Sequence, residues 1–350
     1  ATSEMAGLGA AGEQTVVGET PNLAARLQAL AEPVTVLVSP STHRLTHRFF
    51  EYVFIGEREL KGYREPLSVW RVLGESAVES RFVAARAATA GPIIGREREL
   101  AFLADSWERA TRGNGHLILV SGEAGIGKSR LIEAFAESTS EKPHRLLRCQ
   151  CSPYHGNSAL HPIRELLRHR LDVRKDLPAS ENLSRIERML NRLGRSSRVS
   201  RLLLADLLEI PSEETLSPME MTPAQKKNET LALLEDFLLA ILDGAPVLLL
   251  IEDAHWSDPT TRLLVDRLLK RIDKEPALVL ITHRPELKTG WMDHPHASMI
   301  SCKQLGRDIC ATLIRQVIGQ TRLDDSVVRQ ILARSDGIQL FDEELTKALV

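Results

Sequence analysis

The stretch Gly122-Glu-Ala-Gly125-Ile-Gly127-Lys128-Ser129 constrains this chain more than any other. It fits the spacing G-x-x-x-x-G-K-[ST], in which each fixed position has its own duty. Gly122, Gly125 and Gly127 let the backbone turn tightly. The loop, with Glu123, Ala124 and Ile126 at its variable positions, can then aim N–H groups inward at a polyphosphate. Lys128 supplies a mobile charge for the β- and γ-phosphates, and Ser129 a hydroxyl for Mg²⁺. Both open a helix, continued by Arg130, whose N-terminus already favours anions. The flanks agree. His116–Ser121 is a short run of strand formers, and Ser129–Glu137 sets Leu131, Ile132 and Phe135 on one helical side. Strand, glycine loop and helix in that order is the context the motif requires.

A second motif follows about 120 residues later. Leu248-Leu-Leu-Ile-Glu252-Asp253-Ala-His255-Trp256-Ser-Asp258 is a hydrophobic strand ending in paired carboxylates. A buried parallel strand delivers such groups to the carboxyl edge of a sheet, beside the glycine loop. One carboxylate suits Mg²⁺ and the other suits polarising an attacking water. Glu252 is assigned to the metal and Asp253 to the water, and the reverse order fits equally. Ala277–Glu286 ends a further apolar strand in polar groups, where Thr282 or Arg284 is placed to sense a γ-phosphate. His255 and His283 read as packed or solvated side chains rather than metal ligands.

Composition sets outer limits. With 45 basic and 47 acidic residues the net charge is −2, so no nucleic-acid surface is expected. The longest apolar candidate, Leu231–Ile251, is broken by Glu235, Asp236 and Asp243, so no membrane segment is expected. Cys149, Cys151, Cys302 and Cys310 lack zinc or redox spacing and read as reduced structural thiols, which fits a cytoplasmic protein. The chain opens on Ala1 and closes at Val350 inside a helical pattern, so it is expected to be part of a longer polypeptide.

Pattern divides the chain into four expected parts. Residues 1–75 have mixed α/β texture. Pro33–Val38, Glu51–Gly56 and Pro66–Leu73 read as strands, and Ser39–His43 as a turn into a short helix. Thr20–Leu30 reads as a helix with Asn22 and Arg26 on one face and Leu23, Leu27 and Leu30 on the other. Residues 76–92, small and polar, read as a linker. Residues 93–305 alternate strands with helices, which predicts a doubly wound parallel sheet. Its strands are expected at His116–Ser121, His144–Cys149, Val247–Ile251, Ala277–Ile281 and Ser298–Leu305. A charged helical insertion spans roughly 160–245, with caps at Ser180 and Thr222. Residues 306–350 are expected to be helical.

From about residue 93 onward the chain resembles the signal-transduction ATPases with numerous domains, relatives of the AAA+ group. The segments carrying the resemblance are IIGREREL, GEAGIGKSR, LLLIEDAHWSD, LITHRPEL and ARSDGIQLFDEEL. The resemblance implies a P-loop ATPase domain with a small helical lid, ATP and Mg²⁺ as ligands, and a nucleotide-dependent switch. It places Ile94, Gly95 and Arg96 near the adenine. It also implies a lid motif G-x-P, which here reads Gly337-Ile338-Gln339, with glutamine where proline is usual.

Residues 12–73 resemble the carboxyl-terminal half of a class III nucleotidyl cyclase domain, which implies a ferredoxin-like α+β fold. The carrying segments are VVGETPNLAARLQALAEP, VSPSTHRL and ELKGYREPLSVWRVLGES. By that resemblance Asn22 and Arg26 stabilise the transition state, and Thr15 occupies the base-selecting position of adenylyl cyclases. The family's two metal-binding aspartates belong to the earlier half of the domain, and residues 1–14 contain no aspartate. The family's sites form between two domains, so a homodimer through this part is one implied partner arrangement. The expectation is therefore a slow ATP-hydrolysing switch joined to an incomplete cyclase domain, answering to an unidentified signal or protein partner. Two alternatives stand beside it. One is a parent protein that makes cyclic AMP under ATPase control. The other is a non-hydrolysing scaffold or transcription regulator.

Overall fold

The computed structural model describes residues 4–6, 15–17, 19–47, 50–63, 65–75, 93–156, 158–174, 176–211, 221–242, 244–318, 324–335 and 337–349. The chain divides into two compact units, residues 1–90 and 91–350. The expected linker, 76–92, lies outside the described residues.

The smaller unit is antiparallel. Strands β1 (Glu4–Ala6) and β2 (Thr15–Val17) pair with each other. β3 (Leu37–Val38), β4 (Phe50–Arg58) and β5 (Leu67–Glu75) form a second sheet in the order β3-β5-β4. Helix α1 (Glu19–Leu30) packs Leu23 and Leu27 against Leu60 and Val69. Leu30, expected on that apolar side, is instead exposed. Ser39 caps α2 (Pro40–Thr46) by accepting the Thr42 N–H. The expected strand Pro33–Val38 shrinks to two residues because Val34 takes the left-handed conformation (φ 65°) in a turn.

The larger unit is built on a five-stranded sheet in which every pairing is parallel. Its strands are β6 (His116–Ser121), β7 (Arg145–Gln150), β8 (Val247–Glu252), β9 (Ala277–His283) and β10 (Ala297–Ser301), ordered β10-β6-β9-β8-β7. β10 ends four residues before the sequence-based estimate. Period-two alternation sorts the side chains. Leu117, Leu119, Leu249, Ile251, Val279 and Ile281 enter the core of one face. Ile118, Val120, Leu248, Leu250, Leu278 and Leu280 enter the core of the other. A sheet covered on both faces needs unbroken apolar strands, which explains the runs VLLLI and ALVLI.

Helices α3 (Glu97–Ala110) and α4 (Lys128–Ser138) cover the second face with Leu103, Trp107, Leu131, Ile132 and Phe135. The insertion supplies α5 (His161–Leu171), α6 (Ala179–Arg192), α7 (Arg198–Leu207) and α8 (Pro223–Leu242) to the first face. Thr222 caps α8 reciprocally: its hydroxyl accepts the Gln225 N–H, and the Gln225 side chain accepts the Thr222 N–H. Ser180 is no cap. α6 already begins at Ala179, with Pro178 at the cap position. Helix α9 (Pro259–Leu269) follows β8. Helices α10 (Arg307–Ile318), α11 (Asp325–Ser335) and α12 (Gln339–Leu349) pack together around Ile314, Ile318 and Ile331. No helix among the described residues is long and apolar enough to cross a membrane.

Candidate functional site

Because the strands run parallel, β6, β8 and β9 deliver their carboxyl ends to one edge. β9 lies between the other two, so the glycine loop after β6 and the carboxylates after β8 start roughly 10 Å apart, two strand spacings. The loop folds back across that gap. Gly125 and Gly127 hold positive φ (76° and 95°), a region open to glycine at little cost. Ile126 anchors the turn by burying its side chain in the core. A Cβ on Gly122 would stand 2.9 Å from the Cys302 carbonyl oxygen, so the loop presses directly on the chain leaving β10.

Lys128, only 7% exposed, donates from Nζ to the carbonyls of Gly122 (2.7 Å) and Glu123 (2.8 Å). Burial pushes its pKa below the ordinary lysine value; Asp253 opposes this and Arg284 reinforces it. Ser129, next on the helix, favours the charged form of the Glu252 carboxyl. Glu252 is 5% exposed and its pKa is raised to about 7, chiefly by burial, with Arg148 and Ser129 pulling it back down. Arg148 on β7 lies 3.8 Å from Glu252 and 2.6 Å from Glu133 on α4.

Asp253 takes a left-handed conformation (φ 54°) that turns the chain off the strand. Its N–H donates to the Thr282 hydroxyl at 2.8 Å, and its carboxylate accepts from Gln150 Nε2 at 3.2 Å. The turn carries Trp256 under the Arg284 guanidinium, whose carbon lies 5.6 Å from the ring centre. Asp258 is buried and structural. Its oxygens accept the N–H groups of Thr260, Thr261 and Leu160. Burial lowers the pKa of His255, and among the described residues neither of its ring nitrogens has a hydrogen-bond partner. Among the described residues, no three His, Cys, Asp or Glu side chains gather into a metal-holding cluster.

The remaining sequence candidates converge on the same loop from outside. Arg96 is buried and donates to the carbonyls of Ile126 (3.1 Å) and Lys303 (2.6 Å). Gly95 has φ 74°, and a Cβ there would collide with Ile309 at 2.6 Å. Arg130 pairs with Glu343 of α12 at 2.8 Å. Helix α12 thus meets the loop directly. The Leu340 N–H donates to the Gly125 carbonyl at 3.1 Å, and Gln339 Oε1 sits 2.3 Å from where a Cβ on Gly127 would be. Glu123 and Ala124 are exposed on the loop's outer turn.

In the smaller unit, Asn22 is exposed on α1 and Arg26 lies over the Tyr63 ring at 5.5 Å. Thr15 begins β2, and its side chain lies outside the described residues. Arg148, Gln150, Glu133 and Glu343 are site neighbours that no motif singled out. The one local signal was a charged residue, Arg148, within the strand RLLRCQ.

A phosphate-cradling loop and paired carboxylates on one edge of a parallel sheet define a P-loop ATPase fold. Residues 92–281 match the AAA ATPase domain family, and the chain belongs to that family. It is 32% identical over 338 residues to an uncharacterized protein of Rhizobium meliloti (strain 1021), a match covering 95% of this chain and 32% of that one. The chain therefore spans about a third of that relative's length. Among solved structures, Thermotoga maritima RuvB is similar at 14% identity, over 73% of this chain and 61% of that one, with a TM-score of 0.40. A signal transduction ATPase with numerous domains from Pyrococcus horikoshii, bearing a tetratricopeptide repeat sensor, is 16% identical over 75% of this chain and 33% of that one, with a TM-score of 0.35.

Proposed function

We propose that residues 93–350 form an ATP–Mg²⁺-dependent switch in which slow hydrolysis resets a lid. The observation that carries the reading is that the glycine loop and the acidic strand end meet at one sheet edge, where Ser129 and Arg148 favour the charged form of Glu252. That meeting joins the two halves of a nucleotide site in one place. The donors there fit a hard divalent cation, being a hydroxyl and carboxyl oxygens. Ser129 and Glu252 would hold Mg²⁺, whose charge would offset that of the phosphates. Asp253 would orient water, steadied by Gln150 and Thr282. Arg284, held on Trp256, supplies a cation beside Lys128. Gly95 and Arg96 would flank the base, and α12 would read the bound state because it rests on Gly125.

The test is direct. Titration with a fluorescent ATP analogue and Mg²⁺ is expected to show at least about tenfold weaker binding for Lys128→Ala, the loss of one charge-assisted contact or more. Equal affinity refutes the nucleotide site. Phosphate release that persists in Glu252→Gln/Asp253→Asn refutes the catalytic assignment while leaving the binding site standing.

For residues 1–75 the reading is an incomplete cyclase domain. Asn22 and Arg26, one helical turn apart on α1, support it. Cyclic AMP formation by the intact parent, lost in Asn22→Ala, would establish that the parent is a cyclase gated by the ATPase. A parent that makes none leaves the switch alone.

A further inference from the structure

At the opposite edge of the same sheet, the helical insertion leaves an open groove of about 560 Å³. Five arginines line it: Arg145 at the start of β7, Arg170 at the end of α5, and Arg185, Arg188 and Arg192 along α6. Among the described residues, no carboxylate lines it. Arg185 is neutralised from outside by Asp172 and Glu181. Arg145 donates to the Ile241 carbonyl at 2.5 Å and Arg170 to the Leu146 carbonyl. The bond to the Leu146 carbonyl holds the Arg170 guanidinium without cancelling its charge. Among the described residues, Arg170, Arg188 and Arg192 have no carboxylate partner. Met189, Leu193, Phe237 and Ala240 also line it.

Gathering like charges from three separate elements costs energy in a chain whose net charge is only −2. Arg170 and Arg192 also serve the carboxyl ends of their helices. That role explains their place in sequence, but it does not explain why they converge on one groove that apolar side chains also line. Guanidinium forks match phosphate oxygens bidentately. The groove's volume lies within the range of small-molecule sites, roughly 300–1,000 Å³. We infer that this groove binds an organic phosphate bearing an apolar or aromatic body, the phosphate on Arg170, Arg188 and Arg192 and the body on Met189 and Phe237. The site is separate from the glycine loop and does not rest on the function proposed above.

The probe is 1-naphthyl phosphate, titrated calorimetrically into the 350-residue chain. Saturable one-to-one binding is expected. It should weaken by about tenfold or more in Arg188→Glu/Arg192→Glu, two exposed positions, given the worth of charge-assisted bonds. Lys128→Ala should leave it unchanged, which separates the groove from the glycine loop. Circular dichroism and thermal melting establish that both variants fold. The inference is overturned by an absence of binding, by loss of binding only in Lys128→Ala, or by inorganic phosphate binding as tightly as the naphthyl ester. Binding of the chain to anionic vesicles but not to the naphthyl ester also overturns it.

Discussion

At Glu252 two demands oppose each other. Burial raises the carboxyl pKa to about 7, while Arg148 and the Ser129 hydroxyl favour the charged form. The sign of the consequence follows from proton counts. Between the ordinary pKa of 4.5 and about 7, the folded chain holds a proton that the unfolded chain has released. Stability therefore falls as pH rises through that window, by at most about 1.4 kcal/mol per pH unit. Glu252→Gln has no such loss. In EDTA-containing buffer its melting temperature is expected to gain on the wild type as pH rises from 4.5, with the gain levelling off above about 7. A difference that does not change with pH refutes the assignment. At this scale, sequence legibility followed chemical obligation. Lys128, Ser129 and Glu252 stood out because phosphate and metal chemistry fixes their spacing and type. Arg148 and Gln150 did not, because only the register of β7 on β8, with Gln150 opposite Glu252, brings them there.

Among the elements, α9 shows how one residue can hold two segments. Asp258 Oδ1 accepts the N–H groups of Thr260 (2.8 Å) and Thr261 (3.0 Å), so it caps the helix ahead of Pro259. Its Oδ2 accepts the Leu160 N–H at 3.1 Å, which ties the start of α5 to the start of α9. Removing the carboxylate loses a cap and leaves a buried N–H unpaired. Asp258→Ala is expected to cost roughly 2–4 kcal/mol in urea denaturation, and Asp258→Asn about half as much. An alanine cost near zero would show that the two segments hold without it. The last acidic residue of IEDAHWSD is thus architectural, although it shares a motif with Glu252 and Asp253. Element errors have the same kind of origin. Pro33–Val38 carries strand-forming composition, but Val34 turns away with 107% relative exposure. Ser180 resembles a cap by type, yet α6 starts one residue earlier, at Ala179.

For the molecule as a whole, alternation of strands and helices predicted a parallel sheet, while the two cores on its faces emerge only in the structure. Strand order was not legible. Nothing local in ALVLITH states that β9 inserts between β6 and β8; that depends on how the helical layers cover both faces. The four cysteines give a global measure of this packing. All four are buried. Burial pushes the thiols of Cys151 and Cys310 up to about 12 and raises those of Cys149 and Cys302 as well. Iodoacetamide at pH 8 is expected to modify none of them in the folded chain and all four in guanidinium, as read by intact mass. Rapid labelling of Cys149 or Cys151 under native conditions would mean that the insertion does not cover the first face of the sheet.

The bond from the Leu340 N–H to the Gly125 carbonyl runs from main chain to main chain. A link of this kind is indifferent to most side-chain replacement along α12. Proline at position 340 would abolish it, because proline has no N–H to give; proline at 339 would not. Replacing residue 339 therefore spares this backbone link, but it removes a buried side chain that donates to Glu343 at 3.3 Å. Gln339, standing where the family resemblance leads one to expect proline, thus adds a side-chain contact to a joint whose other part is written in the backbone.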